Sequence, residues 1–247
     1  LLNHTQQYEA GFFEFTGFHR TIADKFYLQR EIPGYYKANH KNLVHGFGLS
    51  GKHELNDNFS INHSAQVTFD NIKSSKVIFN NVERKWHLRQ GNFTERQYYK
   101  VSLLPEYNYT LSDDEVITYK GGISWDDSNR DKQRFSPLTE ISWTRKENEE
   151  NSENIYISYS ESTQLLGYGA IGGPEGTGTF QSNHDLNRSI SKNLELGVKF
   201  DRKDWSLSGA IFHRWDQDLV DWVYYGNNLT PRIANHADID TLGFEII

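Results

Sequence analysis

The groups in this chain that could do acid–base or metal chemistry are 10 histidines and 33 aspartates and glutamates. Zinc binding and general acid–base catalysis need such groups convergent, at spacings such as His-x-x-x-His or as facing carboxylates. Here the histidines are dispersed and no His/Asp/Glu set has ligand spacing. The carboxylate pairs Asp113–Asp114 and Asp126–Asp127 fall at expected turns, where turn formation accounts for them. Asp127, Asn129 and Asp131 begin like a calcium loop, but Lys132 stands where that loop needs glycine and Leu138 where it needs a bidentate glutamate. The glycines from Gly167 to Gly178 lack the Lys-Ser/Thr and following helix of a phosphate cradle, and they read as a mobile loop. With no cysteine there is no disulfide scaffold, thiolate metal site or cysteine nucleophile. No catalytic residue, metal site or cofactor is expected.

The elements that would carry any binding site are legible in the wider composition. In 247 residues, 35 are Phe, Trp or Tyr, yet 24% are charged and the mean hydropathy is −0.74. The net charge of −7 offers no field to gather nucleic acid. No apolar run approaches the ~18 residues of a membrane helix, which leaves strands as the only way to cross. Leu1 in first place, with no Met anywhere, predicts a processed chain or a fragment.

Apolar and polar residues alternate with period two almost throughout, the mark of strands with one apolar and one wet face. Phe59, Ile61, His63, Ala65, Val67 and Phe69 share one face, and Ser60, Asn62, Ser64, Gln66, Thr68 and Asp70 the other. The pattern recurs in Tyr99–Tyr109, Ile117–Trp125, Ile155–Tyr159, Leu194–Phe200 and Trp205–Trp215, for ten or eleven strands in all, depending on whether Gly11–Leu28 is one strand or a hairpin turning near Ala23 and Asp24. Several runs reach the ~9–11 residues that a bilayer-crossing strand needs. Connections alternate too. Those at Asn56–Asn58, Ser112–Glu115, Asn148–Glu153 and Asp201–Asp204 are tight, whereas Asn71–Thr94, Asp126–Ser136, Ser162–Ser189 and Tyr224–Ala234 are long and polar.

Short turns at one rim and long loops at the other are the anatomy of an outer-membrane barrel. Tyr109, Trp125, Trp143, Trp205, Trp215 and Trp222 sit near strand ends, where interfacial girdles need amphipathic rings. A charge facing lipid at mid-bilayer costs about 2–4 kcal/mol, so Lys100, Glu106, Lys120, Glu140, Glu195 and Lys199 are expected to face inward. The fold class is therefore all-β, an antiparallel transmembrane β-barrel.

The final third resembles the barrel of TonB-dependent outer-membrane receptors. Tyr159, Ser160, Glu161 and Ser162 end a strand before a Gly-rich loop. Glu195, Leu196 and Gly197 are similar to the family's Glu-Leu-Gly strand, Asp218–Trp222 to its Asp-Leu-Ile/Val segment, and Arg232, Asn235, Gly243, Phe244 and Glu245 to the strand that follows. Asp24, Phe26, Tyr36, Asn39 and His40 are similar to the cobalamin-receptor-like branch. Two departures stand out: the family often has Pro-Glu where this chain has Arg188 and Ser189, and Arg-x-Pro where it has Gln164, Leu165 and Leu166. The resemblance implies a barrel of about 22 strands around an N-terminal plug. Residues 1–247 would be part of that barrel, without the plug.

A binding surface is expected on the long loops and inner rim, because recognition residues sit on loops held by a rigid scaffold. Tyr35, Tyr36, Tyr168, Trp222, Tyr224, Tyr225 and Arg232 are the candidates, offering stacking and hydrogen bonds to a bulky ligand. The resemblance implies a receptor of the Gram-negative-type outer membrane that takes up a scarce small molecule, a siderophore–metal chelate or a cobalamin-like ligand, with outer-membrane lipid and the TonB energy-coupling complex as partners. A passive porin would use the same strands without a plug, and a soluble β-sandwich could bind carbohydrate through its aromatics.

Overall fold

The computed structural model describes residues 1–27, 29–32, 36–79, 82–85, 94–148, 150–173, 180–224, 226 and 231–247. The alternating runs become antiparallel strands, each paired with its neighbour in sequence. The first hairpin is β1 (Leu2–Tyr8) with β2 (Gly11–Tyr27), followed by β3 (Tyr36–Asn56) and β4 (Phe59–Phe79), on which the short β5 (Val82–Lys85) folds back. Then come β6 (Glu95–Ser112), β7 (Glu115–Ser128), β8 (Arg134–Lys146) and β9 (Ser152–Gln164). A four-residue helix α1 (Tyr168–Ile171) and the two-residue β10 (Phe180–Gln181) precede β11 (Ser189–Arg202), β12 (Trp205–Val223) and β13 (Arg232–Ile246).

One sheet results, in the order β1-β2-β3-β4-β6-β7-β8-β9-β11-β12-β13-β10, open at β1 on one side. Its strands of 13 to 21 residues far exceed the ~5–6 typical of soluble domains. Gly11–Tyr27 is one strand with no turn near Ala23. Strands β7 and β8 run further than the sequence pattern suggests, which shortens the Asp126–Ser136 connection to residues 129–133. Similarly β4 continues past Asp70 to Phe79.

Register shows which face is which. Phe59, Tyr107, Tyr119, Ile141, Ile157, Leu196, Ile211 and Phe244 are successive cross-strand partners from β4 to β13. This row is open to the surroundings: Leu196 is 52%, Ile211 59% and Phe244 77% exposed. A continuous apolar belt of this kind has no place in water and marks an apolar solvent on that side. One residue along, Ser60, Glu106, Lys120, Glu140, Ser158 and Glu195 form the row behind it. There Lys120 reaches Glu140 at 2.9 Å, Lys52 reaches Glu106 at 3.2 Å, and the Tyr156 hydroxyl donates to Glu195 at 2.6 Å. Glu106, Lys120, Glu140 and Glu195 thus fall on the inward face, as the cost of a lipid-facing charge requires. The Tyr156 ring lies over Gly197, where an added Cβ would come within 2.3 Å of it.

Trp205 and Tyr109 are more than half exposed near strand ends. Trp222 differs: one residue is inserted between Asp216 and Leu219, the register shifts, and Trp222 packs against the inner cluster described below. Among the described residues no helix is long and apolar enough to cross a membrane, which is silent on strands.

Candidate functional site

At the long-loop rim the sheet folds over itself. The β8–β9 ladder ends at Leu138–Ser160, beside Pro137, which has no N–H to donate. Beyond that point β9 leans across β7 and β8: Arg134 pairs with Glu161 at 3.4 Å, and the Thr163 hydroxyl donates to Asp126 at 3.0 Å. Arg188, just before β11, pairs with the same Asp126, both side chains almost fully buried.

The segment between β9 and β11 follows this fold inward. Arg96 of β6 pairs with Asp70 of β4, donates to the Leu166 carbonyl at 2.6 Å, and stacks over the Tyr168 ring at 4.6 Å. The Tyr168 hydroxyl donates to the Asp70 carbonyl at 2.9 Å. Burial first, and then the Asp70 carboxylate, pushes the Tyr168 phenol above its ordinary pKa, so it stays a neutral donor. Arg130 donates to the carbonyls of His184 (3.0 Å) and Leu186 (3.3 Å). Leu166, Ala170, Ile171, Leu186 and Ala234 close an apolar cluster against Val220 and Trp222. The described part of the Gly-rich segment is therefore packed rather than mobile; Ile171 has no exposed surface. Removing one partner of a buried ion pair costs about 3–5 kcal/mol, so the Arg96–Asp70 and Arg188–Asp126 pairs hold this arrangement firmly.

Among the described residues, clefts of different lining border the tethered segment. One, of about 350 Å³, is walled by Leu165, Leu166, Ala170, Leu219, Val220 and Trp222. Another, of about 560 Å³, lies among Arg130, Asp131, Lys132, Arg134, Arg188 and Asp218. Burial pushes the Asp131 carboxyl above its ordinary pKa, opposed by Arg188, Arg130 and Arg96.

The candidates from the sequence distribute unevenly. Tyr35 and Tyr225 lie outside the described residues, and Tyr36 opens β3 opposite Phe79. Tyr168 is spent on tethering, with 5% of its surface exposed. Trp222 and Arg232 come together around Phe180, the indole edge-on at 5.2 Å and the guanidinium 5.9 Å from the ring centre. Phe180 also meets Phe26 of β2 at 6.1 Å, across the curl of the sheet. Tyr224 stands exposed beyond β12. Asp127 and Asn129 are engaged in turn hydrogen bonds to the Ser128 and Gln97 amides. Arg96, Arg130 and Asp70 escaped sequence reasoning, because each occupies an ordinary polar position of an alternating strand or loop, whereas Asp126 and Asp127, expected at a turn, lie within β7, where Asp126 is ladder-paired on both sides. Arg188 left a signal only as a departure from the resemblance noted in the sequence.

Comparison with solved structures matches this architecture. The siderophore receptor PirA from Pseudomonas aeruginosa superposes with a TM-score of 0.56 at 13% identity, over 96% of this chain and 44% of that one. The copper transporter OprC gives 0.59 at 8% identity, over 96% and 39%. The Serratia marcescens hemophore receptor HasR, solved with its hemophore HasA and heme, gives 0.58 at 10% identity, over 96% and 46%. The chain thus spans less than half the length of these structures, and at such identities the likeness speaks for the fold alone. No curated protein matches the chain. A family model, that of the TonB dependent receptor-like β-barrel, matches residues 2–246. With strand lengths, an outward apolar belt and alternating turns and loops that all agree with this match, the chain belongs to the TonB-dependent receptor β-barrel family.

Proposed function

We propose that this chain forms part of the barrel of an outer-membrane receptor that imports a scarce small molecule, a metal chelate or a corrinoid, with energy supplied through TonB. The observation that carries the reading is the family match over residues 2–246. The segment after β9, tethered at the long-loop rim, supports it, because it supplies clefts of a ligand's size beside Trp222 and Arg188. The reaction is binding and passage, with no covalent step, and enzyme chemistry has no role in it.

The test is accumulation of iron-55-labelled chelates and cobalt-57-labelled cobalamin by cells carrying or lacking the full-length gene, with and without a protonophore. Gene-dependent uptake that the protonophore abolishes is the expected result. Gene-dependent passage that survives the protonophore would replace this reading with a passive porin.

A further inference from the structure

Arg188 is 6% exposed, and its Nη1 is taken by Asp126. Its Nε and Nη2, both buried, have no hydrogen-bond partner among the described residues. These two N–H groups lie along one edge of the guanidinium, the edge that grips a carboxylate or phosphate through two parallel hydrogen bonds. A buried donor left unmatched costs about 1–3 kcal/mol, and more when it is charged, so a fork of this kind is retained where something fills it. Arg134 repeats the pattern, with Nη2 on Glu161 and a buried Nε that is unmatched.

Both arginines line the cleft of about 560 Å³ together with Arg130, Lys132, Asp131 and Asp218. Four basic groups there face two acidic ones. Of these, Asp218 is already held by His236 Nδ1 at 3.3 Å. The cleft is many times larger than a single oxyanion, so the anion must be one limb of a bigger molecule.

We propose that Arg188, assisted by Arg134 and Lys132, forms an oxyanion subsite that takes a carboxylate or phosphate group of the imported ligand in bidentate hydrogen bonds from Nε and Nη2. This rests on the uptake reading only for the ligand's being imported.

The test uses inorganic phosphate as the probe, titrated calorimetrically into the full-length receptor purified in detergent at low ionic strength. The wild type is expected to show one saturable site. Arg188→Lys keeps a cation opposite Asp126 but lacks the fork, and should weaken phosphate at least tenfold. Lys132→Gln, at an exposed position, should weaken it several-fold, and Lys203→Gln at the opposite rim should leave it unchanged. Should Arg188→Lys fail to fold, Lys132→Gln decides together with Arg134→Lys, which likewise keeps a cation and removes the fork. Absence of saturable binding to the wild type overturns the proposal, since the fork is then filled within the intact protein. Unchanged binding in Lys132→Gln and in Arg188→Lys, or in Arg134→Lys where Arg188→Lys does not fold, also overturns it, as an adventitious ion only. Phosphate binding without protonophore-sensitive uptake would instead sink the import reading and leave the subsite standing.

Discussion

Replacing Leu196 by arginine tests the assignment of faces at the middle of the apolar belt. On β11 the outward positions run from Lys192 through Leu194, Leu196, Val198 and Phe200 to Arg202. The two charges are 202 − 192 = 10 residues apart, about 33 Å along a strand at ~3.3 Å per residue. With a tilt of about 40° that is ~25 Å along the membrane normal, the height of an outer-membrane barrel's apolar band. Leu196 lies near the middle of that band, between Ile157 and Ile211 in register. An arginine there is expected to cost about 2–4 kcal/mol, or roughly 30- to 1,000-fold in the folding equilibrium. Ser158 sits one residue away in the row, between Glu140 and Glu195, so Ser158→Lys should cost less than about 1 kcal/mol. The assay is denaturant titration of the full-length receptor folded into phospholipid vesicles, followed by tryptophan fluorescence. The reasoning fails if Ser158→Lys destabilises as much as Leu196→Arg, because the belt would then not face lipid.

Two further changes probe the tethered segment and its neighbour. Tyr168→Phe removes the hydroxyl that donates to the Asp70 carbonyl, a loss of about 1 kcal/mol, and should speed proteolytic cutting between Leu165 and Arg188 roughly five-fold; an unchanged rate would mean the tether depends on Arg96 alone. Asp131, held above its ordinary pKa of 3.8 mainly by burial, favours its protonated form in the folded loop, so its contribution is complete below that value and is lost as pH rises through the shifted one. Hydrogen-exchange protection of residues 129–133, corrected for intrinsic rates, should therefore fall with rising pH in the wild type and stay flatter in Asp131→Asn. Equal slopes would contradict the burial argument.

The strands and tight turns were legible because lipid on one side and charge on the other force a period of two that nothing else in the chain imitates. Glu106 and Lys120 could be assigned inward from sequence because the penalty for facing lipid is large and local. The rim was much less legible. A glycine-rich run signals backbone freedom but not the Arg96 side chain of β6 and the Arg130 side chain of the β7–β8 connection, which fasten this segment from far away in sequence. A single inserted residue near Asp218, whose φ of 55° places a non-glycine residue in the left-handed region, shifts Trp222 to the face of Ala234, where the segment after β9 covers it. Periodicity cannot foresee such an insertion. Tyr168 was recognisable as a rim aromatic, but its partner is a backbone carbonyl, which leaves no trace in residue types.

The unequal rims also divide the labour of inheritance. Between β1 and β2, β3 and β4, β6 and β7, and β11 and β12, only two residues separate the strands. These turns hold the count that keeps every side chain on its proper face, and a single insertion in one of them would exchange wall for lumen along a whole strand. The connections at the other rim bear no such duty where the strands they join are already registered by hairpin mates. Lengths there can drift, arginines can arrive and leave, and a new binding chemistry can be tried without disturbing a wall that is checked from the opposite end.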